Sequence, residues 1–250
     1  MQLDYFIDGG AGTVKKHPST IDEWKEAFFG RFDEVLDERL NFLHLERPFE
    51  IEEMGLWVAG KHEDIEWRGQ SALLEKNLGT LLAPLPKRAQ ELIGLDLLGI
   101  SHWLSERFSN PCIQVRLNAF LNDGCRKFHM DYLPLRLVVT YFGPGTEIIG
   151  GEGAVDRRFL RRGDLDPEEA NHRVLTDPSK LIRAKAGDFV WLKGADYPGL
   201  GGKGAVHRSP PIEGTGVRRF VLRLDVYEIT PEKRFDLGFR FRCKASLGPP

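Results

Sequence analysis

The feature that most restricts this chain is a change of texture near Asn110-Pro111. Downstream of it come short β-branched runs separated by Gly, Pro and Asp. Residues 113–120 alternate as a strand does, and 135–141 (LRLVVTY) read as a strand ended by Gly143-Pro-Gly145. Three more strands are expected at 186–192 (AGDFVWL), 205–209 (AVHRS) and 219–227 (RFVLRLDVY). Short strands at near-regular spacing with turn signals between them predict a β-sandwich or barrel. Residues 148–183 are polar and Arg-rich and read as a long insertion.

Upstream, the periodicity is helical. Residues 1–18 carry Gly9, Gly10, Gly12 and Pro18 and form an irregular lead-in. Thr20-Ile-Asp-Glu23 has the form of a capping box. Ile21, Trp24, Phe28, Phe32, Val35 and Leu36 then recur at helical steps, so 21–43 is expected to be an amphipathic helix, interrupted near Gly30. Residues 48–68 are ambiguous. Two further helices are expected at 71–82 and 86–108, with Pro86 at a first helical position. The fold class expected is α+β, a helical N-terminal region packed on an all-β half. The divisions are 1–110, 111–230 with the 148–183 insertion, and a 231–250 tail.

Composition excludes several classes. Hydrophobic residues at 41% and charged residues at 29% are ordinary for a soluble domain able to bury its own core. No apolar run approaches the roughly 18 residues of a membrane span. The start has no basic and apolar leader pattern. Cys112, Cys125 and Cys243 are the only cysteines, a sparse, odd count that points to a reducing cytoplasm. A net charge of −2 gives no nucleic-acid signal. That figure hides an asymmetry: 12 Lys+Arg against 20 Asp+Glu in residues 1–110, and 23 against 17 in 111–250.

One constellation could carry chemistry. In an extended chain, residues i and i+2 face the same side. His129 and Asp131 can therefore offer a nitrogen and an oxygen to one point, and His207, from a distant strand, would complete a two-His-one-carboxylate set. Such a set leaves adjacent positions open and suits non-haem Fe(II). Arg219, opening the next strand, could hold a carboxylate in a bidentate fork. A second His-x-Asp, His62-Glu-Asp64, sits in a charged stretch and reads as solvated surface.

The segments Cys125-Arg-Lys-Phe-His-Met-Asp131, Arg136-Leu-Val-Val-Thr-Tyr141 and Gly143-Pro-Gly-Thr-Glu147 resemble the core of the domain of unknown function 1826 family. Gly187-Asp188, Leu192-Lys-Gly194 and His207-Arg-Ser-Pro-Pro211 continue the likeness in order, which spans roughly 110–226 with a weaker fit upstream. More distantly, the series is similar to the Fe(II)/2-oxoglutarate oxygenases. That resemblance implies a cupin-like double-stranded β-helix (jelly roll), with His129, Asp131 and His207 as iron ligands. It also implies Arg219 as the residue pairing with the 2-oxoglutarate C5 carboxylate. Arg218 is the alternative if the strand register differs by one residue.

The resemblance also implies a hydroxyl near the cosubstrate, from Thr140 or Tyr141, against which stands packing in the core. Lys193 could face the pocket or snorkel at the surface. Cys125 could be an extra, soft ligand for Zn, or a small buried thiol. Arg208 should point away from His207. Arg157, Arg158, Arg161 and Arg162 read as a solvated surface or as an anion-contacting lid. His17, His44, His102 and His172 have no partner spacing. The expected activity is an Fe(II)/2-oxoglutarate-dependent oxygenase of hydroxylase type, with a small-molecule cosubstrate and an unidentified primary substrate. The alternatives are a non-redox, cupin-like metal-binding or sensing protein using Zn or another divalent ion, and a vestigial barrel that binds protein.

Overall fold

A computed structural model describes residues 17–229 apart from 48, 50, 52, 61, 62 and 228. The expected surface role of His62 and the 231–250 tail therefore lie outside the described residues. In chain order the elements are α1 (Ile21–Phe32), β1 (Phe42–Leu45), α2 (Met54–Ala59), β2 (Ile65–Gln70), α3 (Leu74–Leu82), α4 (Lys87–Arg107) and β3 (Cys112–Phe120). They continue with β4 (Leu135–Phe142), β5 (Glu147–Ile149), α5 (Pro167–Val174), β6 (Leu181–Arg183), β7 (Phe189–Lys193), β8 (His207–Arg208) and β9 (Arg219–Val226). No helix among the described residues is long and apolar enough to cross a membrane.

The strands form a six-stranded sheet, β1-β7-β4-β9-β3-β2, and a three-stranded sheet, β6-β5-β8. An antiparallel bridge between His129 and His207 adds one more pairing beside β8. From β3 onward the chain alternates between the sheets: large at β3, small at His129, large at β4, small at β5 and β6, large at β7, small at β8, large at β9. With every neighbouring pair antiparallel, this winding is a double-stranded β-helix, a jelly roll.

The helical region packs on the outer face of the large sheet and also lends it two strands. Thr20 caps α1 by accepting from the Glu23 N–H, and Glu23 accepts from the Ser19 N–H. Gly30 does not interrupt α1; the helix ends at Phe32 and passes into a single 3-10 turn over Asp33–Leu36. Phe42 and Leu43, expected at the end of that helix, instead open β1, whose residues alternate half-buried and buried and pair with β7. The ambiguous stretch contains α2 and β2, and β2 pairs with β3. Strands β5 and β6 pair with each other at the two ends of the expected insertion, leaving 150–180 as the inserted segment.

Side-chain parity decides what each strand offers to each layer. Leu135, Leu137, Val139 and Tyr141 on β4 join Trp24, Phe28, Phe32 and Trp103 in the core beneath the helices. Phe220, Leu222, Leu224 and Val226 on β9 do the same. Their neighbours Val138 and Val221, with Ile148, Val190 and Leu192, fill the space between the sheets. Helices α1 and α4 approach so closely that a Cβ on Gly99 would lie 2.2 Å from the Trp24 ring, so only glycine fits there.

At the centre of the helix–sheet layer is a buried ion pair. Asp96, on the inner face of α4, is fully buried. It accepts hydrogen bonds from Arg47 Nη1 (2.8 Å) and Nη2 (2.6 Å), Trp24 Nε1 (2.9 Å) and the Tyr141 hydroxyl (2.9 Å). The Arg47 guanidinium lies 3.9 Å from the Phe189 ring centroid, and its Nε donates to the Gly187 carbonyl. Burial alone would raise the Asp96 pKa; the Arg47 charge and the hydrogen bonds outweigh it and hold the carboxyl well below its ordinary range. Breaking such a pair from one side leaves an uncompensated buried charge. Asp96→Asn is expected to destabilise by ~3–5 kcal/mol. Combining it with Arg47→Met should recover part of that loss in urea unfolding followed by tryptophan fluorescence. Strictly additive losses would show that the two charges are not coupled.

Candidate metal centre

The site lies between the two sheets, around a small cavity of about 70 Å³. His129 and His207 face each other across their bridge, His129 N–H to His207 C=O at 3.0 Å and the reverse at 2.9 Å. Their ring centroids are 4.5 Å apart. Asp131 reaches the same point, with His207 Nε2 3.4 Å from Oδ2 and His129 Nε2 3.9 Å from Oδ1. One ligand atom from each of the three residues lies within 4.8 Å of the other two. Met130, between them in sequence, turns away and accepts from Arg157 Nη1 at 3.4 Å.

The hydrogen bonds around the rings set their tautomers. His129 Nδ1 lies 2.9 Å from the Lys127 carbonyl, and His207 Nδ1 3.2 Å from the Ala205 carbonyl. A carbonyl only accepts, so each Nδ1 carries the proton and each neutral ring turns an Nε2 lone pair toward Asp131. The carboxylate adds another lone pair: Asp131 Oδ2 is buried and has no hydrogen-bond partner. Its Oδ1 accepts from Arg136 Nη1 at 2.6 Å. With both rings neutral, three lone pairs converge; such a set fits a divalent cation, and the donor set N, N, O is that of a two-His-one-carboxylate metal site.

The two imidazoles differ. Burial, with the nearby His129 and Arg136, pushes the His207 pKa down to about 4 against the attraction of Asp131, so this ring is neutral at neutral pH. Burial also opposes charge on His129, but contact with the Cys125 thiol and the Lys127 carbonyl outweighs it and raises that pKa. The same contact with His129 lowers the pKa of Cys125. Cys125 lines the cavity beside His129, yet its sulfur is not among the three converging ligand atoms.

Arg219 is 2% exposed and lines the cavity. Its Nε donates to the Pro144 carbonyl at 2.7 Å, and Nη2 approaches Thr140 Oγ1 at 3.4 Å. Gly143 permits this turn: its φ is +81°, and a Cβ there would lie 2.1 Å from the Arg218 carbonyl. Among the described residues no carboxylate ion-pairs with Arg219, and burial lowers its pKa to about 10.

Three residues that the sequence offers as candidates for the pocket lie elsewhere, and strand parity is the reason for each. Tyr141 faces the helical core, where its hydroxyl donates to Asp96. Lys193, on the outer face of β7, donates to the Asp37 carbonyl and lies 4.3 Å from the Tyr197 ring centroid. Arg218 donates to the Val58 and Ala59 carbonyls of α2, and Arg219 alone of the pair turns inward. Gly187-Asp188 is structural: Asp188 joins the His44 ring (2.8 Å) and the Lys185 N–H (2.7 Å). His44 and His17 thus have partners that sequence spacing could not reveal, His17 lying 3.5 Å from Asp96. Arg208, which lines the cavity, pairs with Glu147 at 2.7 Å.

Sequence reading missed Arg136, Thr146, Ser209 and Asn171. Arg136 shares the inward parity of Val138 and Thr140, a signal available in LRLVVTY. Asn171 had none. It sits on α5 of the inserted segment and accepts from the Phe128 N–H (2.7 Å) while donating to the Arg126 carbonyl (3.0 Å). The basic run beside it is largely self-paired: Arg157 with Glu152, Arg158 with Asp156, Arg162 with Asp164, while Arg161 stacks on Tyr132.

A double-stranded β-helix with a His-x-Asp…His cluster between its sheets defines the class of protein. Residues 57–225, more than half of the chain, match the family described as "Protein of unknown function (DUF1826)", and the chain belongs to that family. The match begins in α2, taking in the region upstream of 110 where the motif likeness is weaker. No curated protein matches the chain. Among solved structures it is similar to a rice dioxygenase for auxin oxidation, at 12% identity over 85% of this chain and 79% of that one, TM-score 0.41. It is also similar to the dioxygenase for auxin oxidation 1 of Arabidopsis thaliana in its 2-oxoglutarate complex, at 9% identity over 87% and 92%, TM-score 0.44. A third is a putative 2OG-Fe(II) oxygenase family protein of Caulobacter crescentus, at 12% identity over 86% and 87%, TM-score 0.36. Likeness this distant assigns no chemistry to this chain.

The geometry makes the inserted segment a clamp on the 126–130 loop. Asn171→Ala leaves the Phe128 N–H without its partner and is expected to cost ~1–3 kcal/mol of stability. Divalent-metal affinity, measured by titration, should fall with it. Unchanged stability and affinity together would show that the loop holds itself.

Proposed function

We propose that this chain is a non-haem Fe(II) oxygenase that uses 2-oxoglutarate and hydroxylates an organic primary substrate. One observation carries the reading: three ligand atoms, one of them the buried and orphaned Asp131 Oδ2, converge beside a cavity that also holds Arg219, a buried cation with no carboxylate partner among the described residues. His129 Nε2, His207 Nε2 and Asp131 would hold the iron, which when bound supplies O₂ activation coupled to decarboxylation of the cosubstrate.

The chain's own residues do the rest. Arg219 supplies a fixed, charge-assisted donor for the distal carboxylate of 2-oxoglutarate, and the Pro144 carbonyl and Thr140 hydroxyl hold it in place. Arg136 fixes the Asp131 rotamer by taking Oδ1, which leaves Oδ2 free for the metal. Phe120, Val138 and Val221 give the cavity an apolar wall that excludes water. A cytoplasmic location is part of the same reading; the two described cysteines, Cys112 and Cys125, are free.

The test is spectroscopic. Under anaerobic conditions, Fe(II)-loaded protein given 2-oxoglutarate should show a weak visible charge-transfer band. His207→Ala should lose metal. Arg219→Ala should keep metal and bind 2-oxoglutarate on the order of 10- to 100-fold more weakly. Bound iron with no band would sink 2-oxoglutarate dependence. Zinc bound in its place, and lost on Cys125→Ala, would make the protein a non-redox metal module.

A further inference from the structure

A second arginine in the cavity is not accounted for by metal or cosubstrate. Arg223 lies on the same inward face of β9 as Arg219, Val221 and Asp225 and lines the cavity. Its Nη2 donates to the buried Asn118 side chain at 2.9 Å, and its guanidinium lies 5.8 Å from the Phe120 ring centroid. Its Nε is buried with no hydrogen-bond partner. Among the described residues no carboxylate ion-pairs with it.

The obvious partner is already taken. Asp225, two residues on, is held by Arg136 through both oxygens, Nε to Oδ1 at 2.5 Å and Nη2 to Oδ2 at 3.0 Å. Arg116 adds a longer contact to it at 3.8 Å. Asp131, the remaining acid, gives Oδ1 to Arg136 and has its other oxygen among the converging ligand atoms. Arg116 pairs more closely with Glu66, at 3.2 Å, and Arg136 takes three of the four oxygens of Asp225 and Asp131, so neither acid makes an ion pair with Arg223. Burial together with Arg136 and Arg116 disfavours the charged form of Arg223. A guanidinium stays protonated even so, and this half-buried cation, with a buried Nε that has no partner, is placed to accept an anion from the open side of the cavity.

Arg219 and Arg223 are also anchored differently. The first is tied to the Pro144 turn and Thr140 and is almost wholly buried; the second is tied to Asn118 on β3 and is partly exposed. That separates a closed anion position from one reachable by an incoming molecule. We propose that Arg223, oriented by Asn118, is a specificity-determining residue that binds an oxyanion, a carboxylate or phosphate group, on the primary substrate. The assignment rests on the oxygenase reading above and narrows its substrate to acidic molecules small enough to present that group between Phe120 and Ser209.

The test uses two probes, inorganic phosphate and acetate, with Mn(II)-loaded full-length protein and saturating 2-oxoglutarate. Paramagnetic relaxation of the ³¹P or ¹³C nucleus reports an oxyanion held near the metal. Arg223→Gln should reduce that enhancement at least about fivefold for one probe or both, and Arg223→Lys should retain an intermediate effect; the probe affected identifies the group. In parallel, the Fe(II)/2-oxoglutarate band of Arg223→Gln should match that of the parent protein, with unfolding midpoints confirming the fold. Relaxation unchanged by Arg223→Gln, with the band present, overturns this inference alone. Loss of the band in Arg223→Gln also overturns it and makes Arg223 a cosubstrate residue. A parent protein without the band but with Arg223-dependent relaxation overturns 2-oxoglutarate use and leaves the oxyanion site standing. A metal-loaded parent with neither signal overturns both.

Discussion

The buried Arg47–Asp96 pair is the contact on which the two layers depend. Through Asp96 it joins α4 to Trp24 of α1 and to Tyr141 of β4; through Arg47 it joins the chain after β1 to the turn before β7. Fixing Tyr141 toward the helices fixes the parity of the whole of β4, because a one-residue slip would exchange its faces. Arg136, Val138 and Thr140 then point between the sheets. Because β4 pairs directly with β9 and β7, the same choice propagates to Arg219 and Arg223 facing inward and Lys193 facing outward. A polar contact about one sheet's thickness away from the cavity thus decides which charges line it.

That dependence explains what could be read from the sequence and what could not. The strands at 113–120, 135–141 and 219–227 announce themselves by β-branched alternation, and the convergence of His129, Asp131 and His207 follows from i, i+2 geometry plus one returning strand. The parity of β4 and β7 does not follow, because both faces of these strands are buried and both carry apolar residues. Tyr141 therefore stays open in the sequence between the pocket and the core, and Lys193 between the pocket and the surface. Arg47 and Asp96 look like ordinary surface charges until their neighbours are known; Asp96 interrupts an apolar stripe, and Arg47 sits in a short loop. β1 was hidden because Phe42 and Leu43 continue a helical count by accident, and β5 and β6 because three residues are too few to show a period.

The inserted segment 150–180 has a role that its polar composition conceals. Its own small core, Ala154 and Val174 with Ile149, Val206 and Phe128, seats it against the short sheet. From there Asn171 pairs with the backbone at Arg126 and Phe128, and Arg157 reaches Met130. The His129 segment is only a single bridge wide in the small sheet, so side chains supply what further backbone pairing would supply in a longer strand. A loop held this way can carry ligands with little regular structure of its own.

Charge follows the same logic. The β-rich half holds 23 Lys+Arg against 17 Asp+Glu, and five of those cations lie in 231–250, outside the described residues. Some of the rest do face the acidic half, as Arg116 does to Glu66 and Lys185 to Glu46. On the inserted segment most arginines pair locally and are screened by water, so they create little field at the site. Arg219 and Arg223 are different, because the first is buried, the second half-buried, and no carboxylate among the described residues ion-pairs with either. The positive excess that matters is therefore a property of the cavity rather than of the surface. An apolar interior keeps a charge only where a partner of opposite sign completes it, and among the described residues no carboxylate completes Arg219 or Arg223 in this cavity.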